Sequence, residues 1–350
     1  MGAAERIERA AASVLMPGFL GTEPPPWLAR AVRGGLGSVL YFGQNFTGDT
    51  ARLSAELHRL APGLLIASDE EGGAVSRLHA GGPAPYPSHA ELGAADDTDR
   101  TREVARALGE ELAGVGVDAA LSPVVDVNSD PLNPVIGVRA FGDRPDLAAR
   151  HGAAFVEGLH RAGRASAAKH FPGHGDTRVD SHAALPVIDI GADLLAEREL
   201  VPFAAAVRAG ADMVMAGHIV VPAVDGAPAS VSPRWYALLR EDLGFAGVAI
   251  TDALDMKGLA HFTGAADPVE GVARGAVAAL AAGADLLCLG NPATAGGTGE
   301  EAYRAALEAV SSAVAAGEVP ESRLTEASAR VAALSARVRP GAARGGLQTP

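Results

Sequence analysis

The sequence predicts an α/β protein, a TIM-like barrel of eight strand–helix units in a single domain, on three observations. Short apolar runs alternate with helix-compatible stretches along all 350 residues. A glycine stands shortly before most of these runs, as expected where helices end in a left-handed backbone conformation. Polar residues recur at matching ends of the runs: Asp69, Asp126, Lys169 with His170, His218 and Asp252.

The eight candidate strands are 13–16, 38–42, 64–69, 117–126, 165–170, 212–218, 248–252 and 285–289. Several are apolar almost throughout, the pattern of strands covered on both faces. The clearest helical stretches are 99–113, 146–161, 192–209, 233–242 and 301–315. Strands alternating with helices imply a parallel sheet. Eight units, with no Gly-x-Gly-x-x-Gly turn after the first strand, favour closure into a barrel over an open doubly wound sheet. Residues 1–338 are expected to form one catalytic barrel, and the Gly/Pro/Ala-rich stretch 339–350 a flexible tail.

Composition narrows the partners. Hydrophobic content of 48% is ample for a core, and a net charge of −13 argues against nucleic acid or an anionic membrane as partner. Apolar 10–15 is interrupted by Pro17-Gly18 and lacks a basic leader, and no run approaches a spanning length, so a soluble, cytoplasmic protein is expected. The single cysteine, Cys288, sits in an apolar run and reads as a buried small hydrophobe.

The chemistry concentrates in 169–182, which holds three histidines, two aspartates, a lysine and an arginine in 14 residues. Glycines at 173 and 175 let such groups converge. One reading is a metal site built from His170, His174 and His182, although Phe-Pro-Gly between the first two keeps them off a common helical face. The other is acid/base chemistry, with Asp180 orienting His182 and favouring its protonated form. Asp252 would then supply a carboxylate nucleophile or stabiliser from a rigid strand end, with Asp255 as the rival carboxylate. Segment 69–77, with three acidic residues, paired glycines and Arg77, suits a cation or a hydroxylated ligand held by charge-assisted hydrogen bonds. Segment 133–142 adds Arg139.

Taken together, 69–77, 133–142, 169–182 and 250–256 resemble glycoside hydrolase family 3, in its β-N-acetylhexosaminidase branch. The resemblance spans roughly residues 10–335, and the Asp-Ser-His ending of the long segment separates that branch from the family's β-glucosidases. It implies Asp252 as catalytic nucleophile, His182 as general acid/base and Asp180 as its partner. Asp69, Arg77, Arg139, Lys169 and His170 match positions that hold the sugar, while His174 receives no catalytic role. No metal or other cofactor is implied. Two positions depart from the pattern: Glu70 replaces a common glutamine, and Ala74 stands where longer side chains are frequent.

The activity so implied is retaining hydrolysis of terminal β-linked N-acetylglucosamine from a saccharide substrate, with muropeptide fragments expected ahead of chitin oligosaccharides. Phosphate as acceptor in place of water, giving a phosphorylase, is the alternative. A metal-dependent hydrolase and a non-catalytic sugar-binding protein are the readings from other classes. The loop carrying Asp180 and His182 is expected to close over substrate.

Overall fold

The structure, a computed structural model, describes residues 2–178 and 185–338. The expected acid/base pair, Asp180 and His182, and the expected tail, 339–350, lie outside the described residues.

The chain forms a (β/α)8 barrel. Its strands are β1 (Leu15–Met16), β2 (Ser38–Tyr41), β3 (Leu65–Ser68), β4 (Ala119–Ala120), β5 (Ala165–Phe171), β6 (Met213–Ala216), β7 (Val248–Thr251) and β8 (Leu287–Cys288). Strands β2 to β7 pair in sequence order, each parallel to the next. Closure comes from β1 pairing with β8, from a bridge between Gly18 and Leu40 and from another between Ile250 and Leu286.

Alternate residues of each strand serve different cores, which is why the strands read as unbroken apolar runs. In β7, Val248 and Ile250 join Met16, Leu65, Ala167 and Met213 inside the barrel. Ala249 faces outward into the layer that packs against the helices, with Val39, Ile66 and Val214. Helix Glu321–Arg337 supplies Val331 and Leu334 to the inner core. At the starts of strands, Asp118, Asp212 and Asp285 anchor cations. Asp285 alone receives Arg240 and Arg323 at 2.5 Å and Arg330 at 3.1 Å. Such pairing at the N-terminal face of a barrel serves stability.

Three local departures from the sequence reading have physical causes. The fourth strand, expected over 117–126, pairs regularly only at Ala119–Ala120, because Pro123 has no N–H for the ladder; pairing resumes as a bridge from Val124 to Lys169. The helix expected over 192–209 widens into a π turn at Leu195–Glu199, just before Pro202 withholds its own N–H. Ser13, expected in the first strand, instead ends helix Ala3–Ser13.

Candidate active site

The polar strand ends converge at the C-terminal mouth of the barrel. Asp69, Arg77, Arg139, Lys169, His170 and Asp252 line one cavity of about 540 Å³, together with Glu71, His174, Asp255 and Lys257. All five expected sugar-holding residues and the expected nucleophile are therefore brought together.

After β3 the chain enters a short antiparallel hairpin, Glu70–Gly72 with Val75–Ser76. Gly72 and Gly73 make its turn at φ +79° and +55°, and a Cβ on Gly73 would fall 2.6 Å from the Ser88 side chain. The paired glycines thus shape a hairpin. Glu70 locks it from within: Oε1 accepts the Arg77 and Leu78 N–H groups at 2.9 and 2.7 Å, and Oε2 accepts the Ser76 hydroxyl at 2.7 Å. The hairpin hands Asp69 and Glu71 to the cavity.

Those two carboxylates hold the cations. Lys169 Nζ lies 2.8 Å from Asp69 Oδ1 and 2.7 Å from Glu71 Oε1. Arg139 donates two bonds of 2.8 Å to the Glu71 carboxylate, a fork that fixes the guanidinium plane. Arg77 reaches Asp69 at 3.3 Å. Burial alone would push both carboxyls upward in pKa. The Lys169 ammonium overcomes it for both, aided by Arg77 at Asp69 and by Arg139 at Glu71, whose carboxyl is held well below the usual range.

His170 is oriented by Asp126, the residue closing the run after β4. Asp126 Oδ2 meets His170 Nδ1 at 2.8 Å, while Oδ1 accepts the N–H groups of His170 at 3.0 Å and His174 at 2.8 Å. Arg139 Nη2 points at His170 Nε2 from 3.4 Å, which assigns the ring proton to Nδ1. Asn133 ties the neighbouring segment in, accepting the N–H groups of Val135 and Ile136 and donating to the His174 carbonyl at 2.7 Å.

Asp252 follows β7 directly. Its N–H continues the ladder to the Ala216 carbonyl at 2.9 Å, and its Oδ1 accepts the Ala253 N–H at 2.8 Å. Burial pushes its carboxyl pKa up, but the neighbouring imidazoles of His170 and His218, the Ala253 N–H and Lys169 bring it below the ordinary value. Asp252 is thus an ionised carboxylate on a rigid strand end. His218, buried at the end of β6, donates from Nε2 to the Ala253 carbonyl at 2.9 Å and contacts the Ser230 hydroxyl at 2.7 Å through Nδ1. The rival carboxylate, Asp255, accepts the Asn291 N–H at 3.0 Å and so braces the loop after β8.

For the metal reading, His170 and His174 lie with ring centroids 5.8 Å apart, each with Nδ1 engaged by the protein. Among the described residues no three histidine, cysteine or acidic side chains are grouped to hold a metal ion. Cys288 is buried, and burial drives its thiol well above the usual range. No helix among the described residues is long and apolar enough to cross a membrane.

Sequence reasoning assigned no task to Glu71 or Asp126. Both carried a signal: Glu71 stands in the acidic run after the third strand, and Asp126 is one of the polar strand ends.

The geometry agrees with what the chain is similar to. Residues 32–334 match the family described as Glycosyl hydrolase family 3 N terminal domain. A beta-hexosaminidase of Stenotrophomonas maltophilia (strain R551-3) is 36% identical over 293 residues, covering 80% of this chain and 84% of that protein. Beta-hexosaminidase A of Pseudoalteromonas piscicida is 37% identical over 268 residues, 69% of this chain; the chain spans only 45% of that relative's length. Among solved structures, a glycoside hydrolase family 3 beta-N-acetylglucosaminidase from Paenibacillus sp. str. FPU-7 superposes with a TM-score of 0.88 at 38% identity, covering 96% of this chain and 64% of that one. A beta-N-acetylhexosaminidase from Beutenbergia cavernae gives 0.82 at 29% identity, with 94% and 98% covered. The resemblance carried by the four sequence segments is borne out: the chain belongs to glycosyl hydrolase family 3.

Proposed function

We propose that the chain is a retaining exo-β-N-acetylglucosaminidase that removes terminal β-linked N-acetylglucosamine. The observation that carries the reading is Asp252: an ionised carboxylate at a strand end, lining the same cavity as Asp69, Arg77, Arg139, Lys169 and His170. A wall of carboxylates already paired with guanidinium and ammonium groups offers fixed donors and acceptors to sugar hydroxyls. The names of the relatives, beta-hexosaminidase and beta-N-acetylglucosaminidase, support the N-acetyl sugar.

In the first step an Asp252 oxygen attacks the anomeric carbon and the bond to the leaving oxygen breaks. Protonated His182, assisted by Asp180, delivers its proton to that oxygen. In the second step His182 takes a proton from water, the water oxygen bonds to the anomeric carbon and the Asp252 carboxylate is released. Two displacements return the original configuration, the logic of retaining enzymes, with histidine in place of one carboxyl group. Asp252→Ala and His182→Ala enzymes are expected to lose turnover of an aryl N-acetyl-β-glucosaminide; wild-type rates in both would refute the assignment.

A second reading, phosphate as acceptor, draws on Lys257. The sequence has two lysines, 169 and 257, and both line this cavity. Lys169 is paired, whereas no carboxylate lies within 4.0 Å of Lys257 among the described residues, which leaves a cation for an anion to meet. Product analysis separates the readings: free sugar regardless of phosphate for the hydrolase, sugar 1-phosphate only with phosphate for the phosphorylase. A panel of chitin oligosaccharides and anhydromuramyl disaccharides then decides the aglycone.

A further inference from the structure

The reaction above gives His174, which lines the cavity, no task. His174 is pinned on nearly every side. Its N–H donates to Asp126 at 2.8 Å, and its carbonyl accepts Asn133 Nδ2 at 2.7 Å and the Thr177 hydroxyl at 3.1 Å. A Cβ on the following Gly175 would fall 1.7 Å from the Val127 carbonyl oxygen, so the backbone here is pressed against the run after β4. The ring itself is held through Nδ1, 2.7 Å from the Thr177 hydroxyl.

The other ring nitrogen is the exception. His174 Nε2 is buried and has no hydrogen-bond partner among the described residues, while the residue as a whole is 2% exposed and lines the cavity with Asp69, Lys169, His170 and Asp252. Leaving a buried polar atom unpartnered is unfavourable, and such atoms in native proteins call for an explanation. Burial and the neighbouring His170 hold the His174 pKa down, against the pull of Asp126 and Asp252, so the ring is neutral. A neutral imidazole has one N–H and one lone pair. The Thr177 hydroxyl gives its one proton to the His174 carbonyl, so it accepts from Nδ1, and Nε2 is left with a lone pair to fill. A hydroxyl group of a ligand can donate to that lone pair.

We propose that His174 is a substrate-contacting residue whose Nε2 hydrogen-bonds a hydroxyl of the sugar bound beside Asp252. The inference rests on the reading of this cavity as a sugar site. It assigns the two ring nitrogens to separate partners, Nδ1 to the loop through Thr177 and Nε2 to the ligand.

The test exploits that division. Asparagine places its amide near the Nδ1 position and keeps the Thr177 bond; glutamine reaches towards the Nε2 position. His174→Asn is expected to lower kcat/KM on an aryl N-acetyl-β-glucosaminide about fivefold to fifteenfold, the effect of one neutral hydrogen bond, with Tm little changed. His174→Gln is expected to stay within about threefold of wild type. Wild-type activity in His174→Asn, or equal losses in both variants, would overturn the inference while leaving the sugar-site reading intact. Nitrogen-15 NMR of the unmutated enzyme makes the test independent of how the variants fold. Saturating N-acetylglucosamine is expected to move the His174 Nε2 resonance more than Nδ1, and an unmoved Nε2 would overturn the proposal. No turnover of any N-acetyl-β-glucosaminide by wild type would instead defeat the sugar-site reading, and this inference with it.

Discussion

Glu71 and Lys169 form a 2.7 Å ion pair with side chains only 1% and 2% exposed, and the same Glu71 carboxylate holds the Arg139 fork. Two cations that face the cavity therefore depend on one buried carboxylate. Removing one partner of a buried pair leaves an uncompensated charge, at a cost of about 3–5 kcal/mol.

Glu71→Gln is accordingly expected to lower stability by about 3–5 kcal/mol at pH 7, measured by urea unfolding. The sign with pH follows from the depressed Glu71 pKa. Its stabilisation is present above the ordinary glutamate value of 4.5 and is lost as pH falls through the lower folded value. The gap between wild type and variant should therefore narrow on acidification; a gap independent of pH would contradict the ion-pair account.

Asp126 governs the tautomer of His170. In Asp126→Asn, an amide oxygen kept for the two backbone N–H groups turns the amide nitrogen towards His170 Nδ1 and moves the ring proton to Nε2. That proton would then face the donor Arg139 Nη2. Activity is expected to fall about tenfold to a hundredfold, the range for a hydrogen bond to a charged group. Unchanged kinetics would show that His170 needs no such partner.

Glu199 lies beneath the loop that leaves β5, with Oε1 accepting from Arg198 at 2.6 Å and Oε2 unpartnered among the described residues. Burial raises its pKa to about 7, against the lowering effect of Arg198, from an ordinary 4.5. Between those values the folded chain binds the extra proton, so the Glu199 contribution to stability declines as pH rises from 4.5 to about 7. Glu199→Gln removes that decline. Relative to wild type, its Tm should gain more at pH 8 than at pH 5; an equal difference at both would contradict the assignment.

The barrel was legible because each strand is buried on both faces. Val248 to Ile250 must be apolar whether they point inward or outward, and the polar residue that follows marks where the strand meets solvent. Asp69, Lys169, His170 and Asp252 were legible for the same reason. What joins them was not. Glu71 and Arg139 are 68 residues apart, Asp126 and His170 44, and which carboxylate meets which cation is decided by neighbouring strands in the closed barrel. Glu71 could not be told from Glu70 by residue type, yet one faces the cavity and the other fastens the hairpin. Pro202 could be read as a helix breaker, but the helix absorbs it by widening one turn.

In the proposed mechanism Asp252 forms the covalent bond to the sugar. The most direct test is mass spectrometry of the enzyme after reaction with a fluorinated N-acetylglucosaminyl donor that bonds quickly and hydrolyses slowly. One glycosyl unit per chain is expected, located on the peptide containing Asp252. A label on another residue, or no label under conditions of slow turnover, would contradict it.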